Sequence, residues 1–247
     1  LYNSAVVLRD GHELVRYHKQ LLPNYSVFDE RRYFLPGAEA AVFETAGVKV
    51  GITVCEDIWQ PEPAQKASSA GAELIVNLNA SPFHQGKYEE RINTLENRVN
   101  ETGCPIVYVN MVGGQDELVF DGESLVMSSH KGILYRGPAF EESLTAVDVP
   151  IGHPELSRHV DLSPRSDNDT LVYQALVMGV RDYINKNGFG GAVIGLSGGI
   201  DSALTLAIAV DALGASKVEA IMMPSRYTAD MSKNDAHAEA ESLGVDY

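Results

Sequence analysis

Residues 51–59, GITVCEDIW, decide the fold of the first part of this chain. The apolar run over residues 48–54 is interrupted only at single positions, a pattern typical of a buried strand. That strand ends at Cys55, which is followed at once by Glu56 and Asp57. A thiol at the end of a strand is placed to react with a ligand. The competing interpretation is structural, because free cysteine is among the most buried residue types.

The composition is that of an ordinary globular protein: 247 residues, 45% hydrophobic and 21% charged, long enough for one large domain or two modest ones, of which we expect two. The net charge of -15, from 34 acidic and 19 basic residues, argues against nucleic acid as a partner, because phosphate binding needs a concentrated basic face. The two cysteines, Cys55 and Cys104, lack CxxC spacing. They therefore predict neither a disulfide framework nor a zinc site, and fit a reducing compartment.

No apolar run approaches the ~20 residues of a membrane-spanning helix, so we expect no membrane partner. The first residues, LYNSAVVLRDG, lack the charged-then-apolar order of a signal peptide. We therefore expect a cytoplasmic protein. The chain does not begin with methionine, which indicates a piece of something longer.

Strands and helices alternate over residues 1–150. A hairpin with its turn at Asp10 and Gly11 places Lys19 just after a strand. Two helices follow at 64–72 and 87–102, and each precedes a strand, at 73–78 and 105–112 respectively. This order predicts sheet layers covered by helices. Further antiparallel strands are predicted at 118–120, 124–128, 133–135 and 144–149, with turns at Asp121–Gly122 and Lys131–Gly132.

A polar segment at 151–169 predicts a linker between two domains, 1–150 and 170–247. Beyond it we predict a helix at 171–186 opened by Asp169 or Thr170, a strand at 192–196, a helix at 203–213, a strand at 218–223 and a helix at 232–243. This order is typical of the start of a doubly wound parallel sheet. Two strands are too few for such a sheet, so we expect the domain to continue beyond Tyr247.

The motif SGGIDS, residues 197–202, lies between a predicted strand and a predicted helix. Free backbone N–H groups and the positive end of the helix dipole converge there on an anion, and Asp201 can hold a divalent cation. No lysine follows the glycines, so this is not the P-loop of nucleoside triphosphatases. The motif resembles the SGGxDS loop of the ATP pyrophosphatase class, whose members adenylate a substrate. A glycine-rich turn that serves only tight packing is the alternative.

The segments LLPNYSVFDERRYF, VCEDIW and NLNASPFHQGKYEER resemble the carbon-nitrogen hydrolase (nitrilase-like) family, in particular its glutaminase domains. The resemblance implies an α-β-β-α sandwich in which Cys55 attacks the glutamine amide and Lys19 stabilises the oxyanion. An ammonium beside a thiol also lowers the thiol's pKa. The family's base glutamate is expected upstream of Leu1. The alternative for Lys19 is a solvated surface lysine.

Glu30 matches a second glutamate that the family places near the cysteine and lysine; its alternative role is a loop acid paired with Arg31 or Arg32. The resemblance also implies four contacts to the amino-acid end of glutamine: Tyr25, Glu56, Ser81 and Lys87. Tyr25 could instead serve packing, and Lys87 could be a surface residue.

Both resemblances occur in one chain, which also contains the segments GGQDELVFDGES and MPSRYT. In this combination the chain resembles the family of glutamine-dependent NAD synthetases. This resemblance implies glutamine, ATP and deamido-NAD as substrates, Mg²⁺ at Asp201 and a homo-oligomer. Arg226 and Thr228 follow a predicted strand, where α/β sheets bind ligands. The residues expected at ATP are Leu196, Ser197, Gly198, Gly199, Asp201, Ser202, Arg226 and Thr228.

Two other functions compete with this hypothesis. Related ATP loops also serve glutamine-fed enzymes that make GMP or asparagine, but those pair the loop with a different glutaminase fold. A non-enzymatic alternative is an inactive, truncated assembly subunit. We expect the nitrilase-like front of the chain to discriminate against the first alternative, and the residues that flank Leu1 and Tyr247 in the parent sequence to decide the second.

Overall fold

The computed structural model describes residues 1–129, 132–152, 162 and 164–247. The chain divides into two compact units, the first comprising Leu1–Met111 and Gly122–Arg165, the second comprising Val112–Asp121 and Ser166–Tyr247. The predicted linker and domain limits stay predictions, and residues 153–161 and 163 of that linker lie outside the described residues. None of the helices in the described ranges combines the length and apolar character that a membrane crossing requires.

Twelve strands are assigned in the described part of the chain. They are β1 (Ser4–Arg9), β2 (His12–His18), β3 (Ala41–Thr45), β4 (Val48–Val54), β5 (Leu74–Asn79), β6 (Ile106–Asn110), β7 (Val112–Gln115), β8 (Leu118–Asp121), β9 (Leu125–Ser128), β10 (Gly132–Arg136), β11 (Ala192–Gly195) and β12 (Val218–Ile221). The α-helices assigned in the described part of the chain are α1 (Glu30–Tyr33), α2 (Pro61–Ser69), α3 (Lys87–Thr102), α4 (Asn168–Lys186), α5 (Ile200–Leu213) and α6 (Asp230–Leu243). Short 3₁₀ helices cover Cys55–Trp59 and Ala215–Lys217.

A six-stranded sheet with the order β10-β9-β6-β5-β4-β3 forms the centre of the first unit. The strands β4, β5 and β6 run parallel, whereas the outer pairs are antiparallel. The register pairs Val54 with Leu78 and Asn79 with Asn110. Because parallel strands end at the same edge of a sheet, Cys55 and Ala80 follow neighbouring strand ends.

The two faces of this sheet are covered by different layers. On one face, α2 and α3 contribute Ala67 and Leu95 to a core that includes Ile75 and Ile106. Gly51 lies on this face, where an added Cβ would come within 3.0 Å of the Cβ atoms of Ala67 and Ala72. The next residue along the strand, Ile52, points to the other face and packs with Tyr17 of the β1–β2 hairpin. The mixed α/β class predicted from the sequence is confirmed.

The second unit is built on the parallel pair β11–β12. Its core combines Leu196 and Ala220 with Leu206 of α5 and Ala236 of α6. The helix α4 is capped by Asp167, whose side chain accepts a hydrogen bond from the Thr170 backbone. This start lies three residues before the predicted one and confirms the helix itself.

The β7–β8 hairpin belongs to the second unit and packs on α4. The Asp182 carboxylate of α4 accepts a hydrogen bond from the Gly114 backbone N–H at 2.7 Å. A side chain at Gly114 would meet the backbone of Gly179 at 3.3 Å, so the glycine permits this close approach. The sequence interpretation had placed all of residues 1–150 in the first domain.

Several sequence predictions were wrong in detail. Residues 144–149 form no strand, and Leu144 is fully exposed. The predicted turn at Asp121–Gly122 does not join two paired strands, because β8 pairs with β7 and not with β9. The elements β3 and α1 were not predicted, and α5 begins at Ile200 and not at residue 203. Lys131 of the predicted turn lies outside the described residues.

Candidate active site

Cys55 lies at the sharp turn where β4 ends and is the first residue of the 3₁₀ helix that follows. Its backbone has a φ of 47°, in the left-handed region that residues other than glycine seldom adopt. Such strained conformations persist where the surrounding structure determines them, and they cluster at functional sites. The thiol is only partly buried. The turn therefore presents a constrained sulfur at the end of a strand.

Lys19 is buried, with 1% of its surface exposed, and it is not the solvated lysine of the alternative interpretation. Its Nζ donates to Glu30 Oε1 at 2.6 Å, and Asn3 Nδ2 donates to Glu30 Oε2 at 3.3 Å. The Lys19 backbone N–H also donates to the Asn3 carbonyl. Glu30 is thus the partner of Lys19, whereas Arg31 and Arg32 bind other acceptors.

The electrostatic environment of Cys55 contains opposing influences. Burial, the largest of them, raises the pKa of the thiol, while the Lys19 ammonium and a hydrogen bond from the Ala80 backbone lower it. The carboxylates of Glu56 and Glu30 raise the pKa further. Because the net pKa is raised, the resting sulfur is a neutral thiol at pH 7 and needs a proton acceptor to become a nucleophile.

Asp57 is a buried residue of this site that the sequence interpretation did not assign. Its side chain is 0% exposed and accepts hydrogen bonds from the Tyr17 hydroxyl and from the backbone N–H groups of Gln20, Leu21 and Val54. The signal in the sequence was an acid two residues after the cysteine. That signal could not distinguish Asp57 from its neighbour Glu56, because both are carboxylates next to the strand end.

Two of the predicted glutamine-binding residues contact each other. The Tyr25 hydroxyl donates to Glu56 Oε2 at 2.9 Å. Partial burial, together with the neighbouring Glu56 carboxylate, raises the pKa of Tyr25, so that its hydroxyl stays protonated. Both residues line a cavity of about 720 Å³ whose wall also includes Arg31 and Gln60. The pair therefore presents a carboxylate and a hydroxyl in the wall of a cavity.

Ser81 is buried directly after Ala80 and is held by Asn110 and Arg91. Asn110 Oδ1 accepts from the Ser81 backbone N–H at 2.9 Å, and Asn110 Nδ2 donates to the Ser81 carbonyl at 3.3 Å. Arg91 also donates to that carbonyl, at 3.0 Å. Sequence reasoning missed Asn110, which ends β6, and no motif marks it.

Lys87 lies at the start of α3 and contacts aromatic and acidic side chains. Its Nζ is 3.8 Å from the centre of the Trp59 ring, a cation–π geometry, and 3.2 Å from Glu90 Oε2. Trp59 ends the 3₁₀ helix that begins at Cys55. Lys87 is therefore a partly buried residue with defined partners, and not the free surface lysine of the alternative.

The SGGIDS loop connects β11 to α5 and is held by hydrogen bonds among its own residues. Ser202 Oγ accepts from the Ser197 backbone, lies 3.0 Å from Ser197 Oγ and donates to the Gly199 carbonyl at 2.9 Å. Gly199 caps α5, so Asp201 and Ser202 lie in its first turn. A helix N-terminus with exposed backbone donors is suited to bind phosphate oxygens.

Gly198 makes this loop possible by its lack of a side chain. Its φ is 78°, and an added Cβ would lie 2.1 Å from the Ser232 carbonyl of α6. Leu196, just before the loop, is 1% exposed and packs in the core, and its backbone N–H donates to the Ile221 carbonyl, so its side chain is not available to a ligand. The glycine is therefore required by α6 as well as by the loop.

Arg226 and Thr228 lie after β12 and bind their own neighbours. The Thr228 hydroxyl accepts from the Ser225 backbone at 2.8 Å. The Arg226 guanidinium lies 4.8 Å from the centre of the exposed Tyr227 ring. These contacts describe a local turn that leaves the Arg226 charge open to solvent.

Asp201 is an exposed carboxylate within the first turn of α5. In the part of the chain that the structure describes, there is no group of three or more His, Cys, Asp or Glu residues that could by itself hold a metal ion. Mg²⁺ commonly takes one or two protein carboxylates together with substrate phosphates and waters. A single acid within a loop that is suited to phosphate oxygens fits that mode.

Comparison with protein-family models matches residues 1–154 to carbon-nitrogen hydrolase. This chain belongs to the carbon-nitrogen hydrolase family. Residues 172–247 match NAD synthase. These matches confirm both resemblances that the motifs had indicated, and they place a carbon-nitrogen hydrolase and part of an NAD synthase in a single polypeptide.

Curated relatives and solved structures agree with these matches. The chain is 46% identical to the glutamine-dependent NAD(+) synthetase of Acinetobacter baylyi, covering 100% of this chain and 45% of the relative. The corresponding enzyme of Aquifex aeolicus is 40% identical over 100% of this chain and 49% of its own length. The chain thus spans about half the length of the curated relatives it matches.

Two solved structures show how much of the chain shares a known fold. A glutamine-dependent NAD+ synthetase from Acinetobacter baumannii, in complex with adenosine diphosphate, is 44% identical, with a TM-score of 0.90 over 99% of this chain and 46% of that chain. A carbon-nitrogen hydrolase from Helicobacter pylori is 28% identical, with a TM-score of 0.52 over 57% of this chain and 54% of that chain. The similarity covers nearly the whole of this chain in the first structure and just over half of it in the second.

Proposed function

We propose that this protein is a glutamine-hydrolysing NAD synthetase. The observation that carries the proposal is the presence, in one chain, of two sites. One is the Cys55 turn with the nearby ammonium of buried Lys19, which is paired with Glu30, and the other is an SGGIDS loop between a parallel strand and a helix. The first site suits attack on an amide, and the second suits an adenylating ATP site. Relatives of this combination carry the name glutamine-dependent NAD(+) synthetase.

In the first reaction, the thiol proton of Cys55 passes to the base glutamate that the family resemblance implies, and the sulfur attacks the side-chain amide carbon of glutamine. The C–N bond of the tetrahedral intermediate then breaks, and ammonia leaves with that proton while a thioester remains. Lys19 is the cation for the tetrahedral oxyanion, because its ammonium is buried and lowers the pKa of the adjacent thiol. Both oxygens of Glu30 accept hydrogen bonds from Lys19 and Asn3, which suits a role in holding the lysine. Water then hydrolyses the thioester and returns the cysteine.

For substrate binding, we assign the amino-acid end of glutamine to the predicted residues Tyr25, Glu56, Ser81 and Lys87. A carboxylate such as Glu56 suits the α-ammonium group of glutamine, and a cation such as Lys87 suits its carboxylate. The Tyr25–Glu56 hydrogen bond fixes the orientation of the acid. Ser81 is adjacent to Ala80, whose backbone contacts Cys55.

In the second reaction, ATP adenylates the carboxylate of deamido-NAD with release of pyrophosphate, and ammonia displaces AMP to give NAD. The ATP phosphates are assigned to the loop donors Ser197, Gly198, Gly199 and Ser202, with the Leu196 backbone, Arg226 and Thr228 toward the rest of the nucleotide. Asp201 would hold Mg²⁺, which when bound neutralises phosphate charge.

We also propose, on the family resemblance, that the enzyme works in the cytoplasm as a homo-oligomer and has no nucleic-acid or membrane partner. The acidic composition supports the exclusion of nucleic acid, since a net charge of -15 repels a phosphate backbone.

The test is an assay of ATP-dependent pyrophosphate release by the full-length protein, supplied with glutamine and one acceptor at a time. We expect release with deamido-NAD and none above background with xanthosine monophosphate or aspartate. Release with either of the latter would assign the protein to another glutamine-fed synthetase. No release with any acceptor would support the inactive assembly subunit.

A further inference from the structure

The Asp57 carboxylate is fully occupied by donors that come from two separate segments. Oδ1 accepts from the backbone N–H groups of Gln20 at 3.1 Å and Leu21 at 2.8 Å. Oδ2 accepts from the Tyr17 hydroxyl at 2.8 Å and the Val54 backbone N–H at 3.0 Å. One buried side chain therefore binds four donors.

The positions of these donors connect the carboxylate to both reactive side chains. Gln20 and Leu21 directly follow Lys19, and Val54 directly precedes Cys55. The segment of Lys19 has two further backbone anchors, since its N–H donates to the Asn3 carbonyl and its carbonyl accepts from Gly37. Asp57 is thus the link that joins the lysine segment to the turn of the cysteine.

Burial of a carboxylate costs free energy, so packing alone does not account for an aspartate at this position. Desolvation raises the pKa of the Asp57 carboxyl, and the hydrogen bonds from Leu21, Val54, Tyr17 and Gln20 lower it in opposition. The four hydrogen bonds described come from uncharged donors, in contrast to the Lys19 ammonium that binds Glu30. Well-packed apolar residues are often at least as stabilising as a buried charged group.

We propose that Asp57 is a positioning residue that sets the placement of the Lys19 ammonium relative to the Cys55 sulfur. It acts through backbone donors and does not itself contact the reacting atoms. The inference rests on the proposed glutaminase reaction for its kinetic readout. Thiol alkylation, in contrast, reports the placement of Lys19 relative to Cys55 without glutamine.

The test compares Asp57→Asn with Tyr17→Phe in the full-length protein. The Asn variant replaces one acceptor oxygen by an N–H₂ group that opposes the Val54 N–H, whereas the Phe variant removes one donor and leaves the three backbone donors bound. Glutamine hydrolysis is measured as kcat and KM, and Cys55 alkylation by iodoacetamide is followed against pH. Ammonia-fed NAD synthesis and the melting temperature are recorded for each variant.

For Asp57→Asn we expect kcat for glutamine to fall on the order of 100-fold with KM little changed, the effect of a misplacement of about 1 Å. Its alkylation profile should move to higher pH, because a displaced Lys19 no longer stabilises the thiolate. Tyr17→Phe should retain the profile and most of kcat, even if both variants melt at lower temperature. Ammonia-fed synthesis should be unchanged in both.

An unshifted alkylation profile in folded Asp57→Asn, or equal losses of kcat in the two variants, would overturn the positioning role. If Asp57→Asn does not fold, Asp57→Glu keeps the charge and moves it by one methylene; wild-type kcat and profile in that variant would also overturn it. If the wild-type protein does not hydrolyse glutamine, the proposed function fails, and the alkylation profile still decides the geometry.

Discussion

The Cys55 turn and the SGGIDS loop are built at different ranges along the chain. Near the cysteine, Asp57 accepts from three donors that lie 36 to 40 positions away and from Val54, three positions away, and Lys19 binds an acid 11 positions away. The hydrogen bonds described within the loop join residues two to five positions apart. The first site is therefore a product of tertiary structure, and the second is largely local.

The chemistry of the two ligands explains this difference. An amide-cleaving thiol needs a desolvated setting in which a neighbouring ammonium controls its pKa. The phosphates of ATP carry their own charge and can be held by backbone N–H groups at an exposed helix start. Under the proposed function, partial burial of Cys55 and full burial of Lys19 suit the amide chemistry, whereas Asp201 is exposed.

The strongest test of two independent sites is Cys55→Ala. Removal of the sulfur should abolish glutamine-dependent NAD formation, because the nucleophile is lost, while formation from added ammonia stays near the wild-type rate. Both rates are measured on the same preparation. Equal loss of the two activities would contradict the separation of the sites.

Lys19→Met should be nearly as severe, but only with glutamine. We expect kcat to fall on the order of 100- to 1,000-fold, as for removal of an oxyanion donor. Since the ammonium lowers the pKa of Cys55, its removal raises that pKa. The rate of iodoacetamide alkylation should then need a higher pH to reach half its maximum, and a shift to lower pH would refute the assigned charge effect.

Asp201→Asn should affect the SGGIDS site and leave the Cys55 site unchanged. We expect pyrophosphate release to fall about 100-fold or more, because a metal ion supplies several kcal/mol of charge stabilisation to phosphoryl chemistry. The loss should be the same with glutamine and with ammonia. Hydrolysis of glutamine by itself serves as the control, and retained pyrophosphate release would remove Asp201 from the metal site.

The smallest expected effect concerns the loop glycines. It distinguishes a glycine needed for contact with α6 from one needed only for the conformation of the loop. Gly198→Ala should destabilise the second unit by about 1–3 kcal/mol or more, because its Cβ would clash with the Ser232 carbonyl. Gly199→Ala is the matched control, since its Cβ meets only Ser197 Oγ, at 3.4 Å. Denaturant unfolding measures both, and equal destabilisation would count against the α6 contact.

Elements with strong local signals were predicted well. The helix α3 has the predicted limits Lys87–Thr102 and ends at Gly103 with a φ of 71°. The strand β4 and the position of Lys19 after β2 were also predicted. Amphipathic spacing and a terminal glycine act within a few residues, so the sequence pattern contains them.

Elements that depend on a partner were not predicted correctly. The segment VGGQ of β7 has low strand propensity, and it is a strand because it pairs with β8 beside α4. Residues 144–149 have an apolar pattern, but they pair with none of the described strands. A strand is stabilised by pairing with a neighbouring strand, and the sequence of one segment does not specify which neighbour is present.

The sequence by itself was enough to single out the candidate reactive groups: the thiol of Cys55, the ammonium of Lys19 and the SGGIDS loop. It did so because strand ends and glycine-rich turns are local features, and the families that share them have long motifs. Only the tertiary structure decided that Glu30 pairs with Lys19 and that Asp57 joins their segment to the cysteine turn. Those contacts form only when segments that are distant in the sequence come together and bury the polar groups away from water.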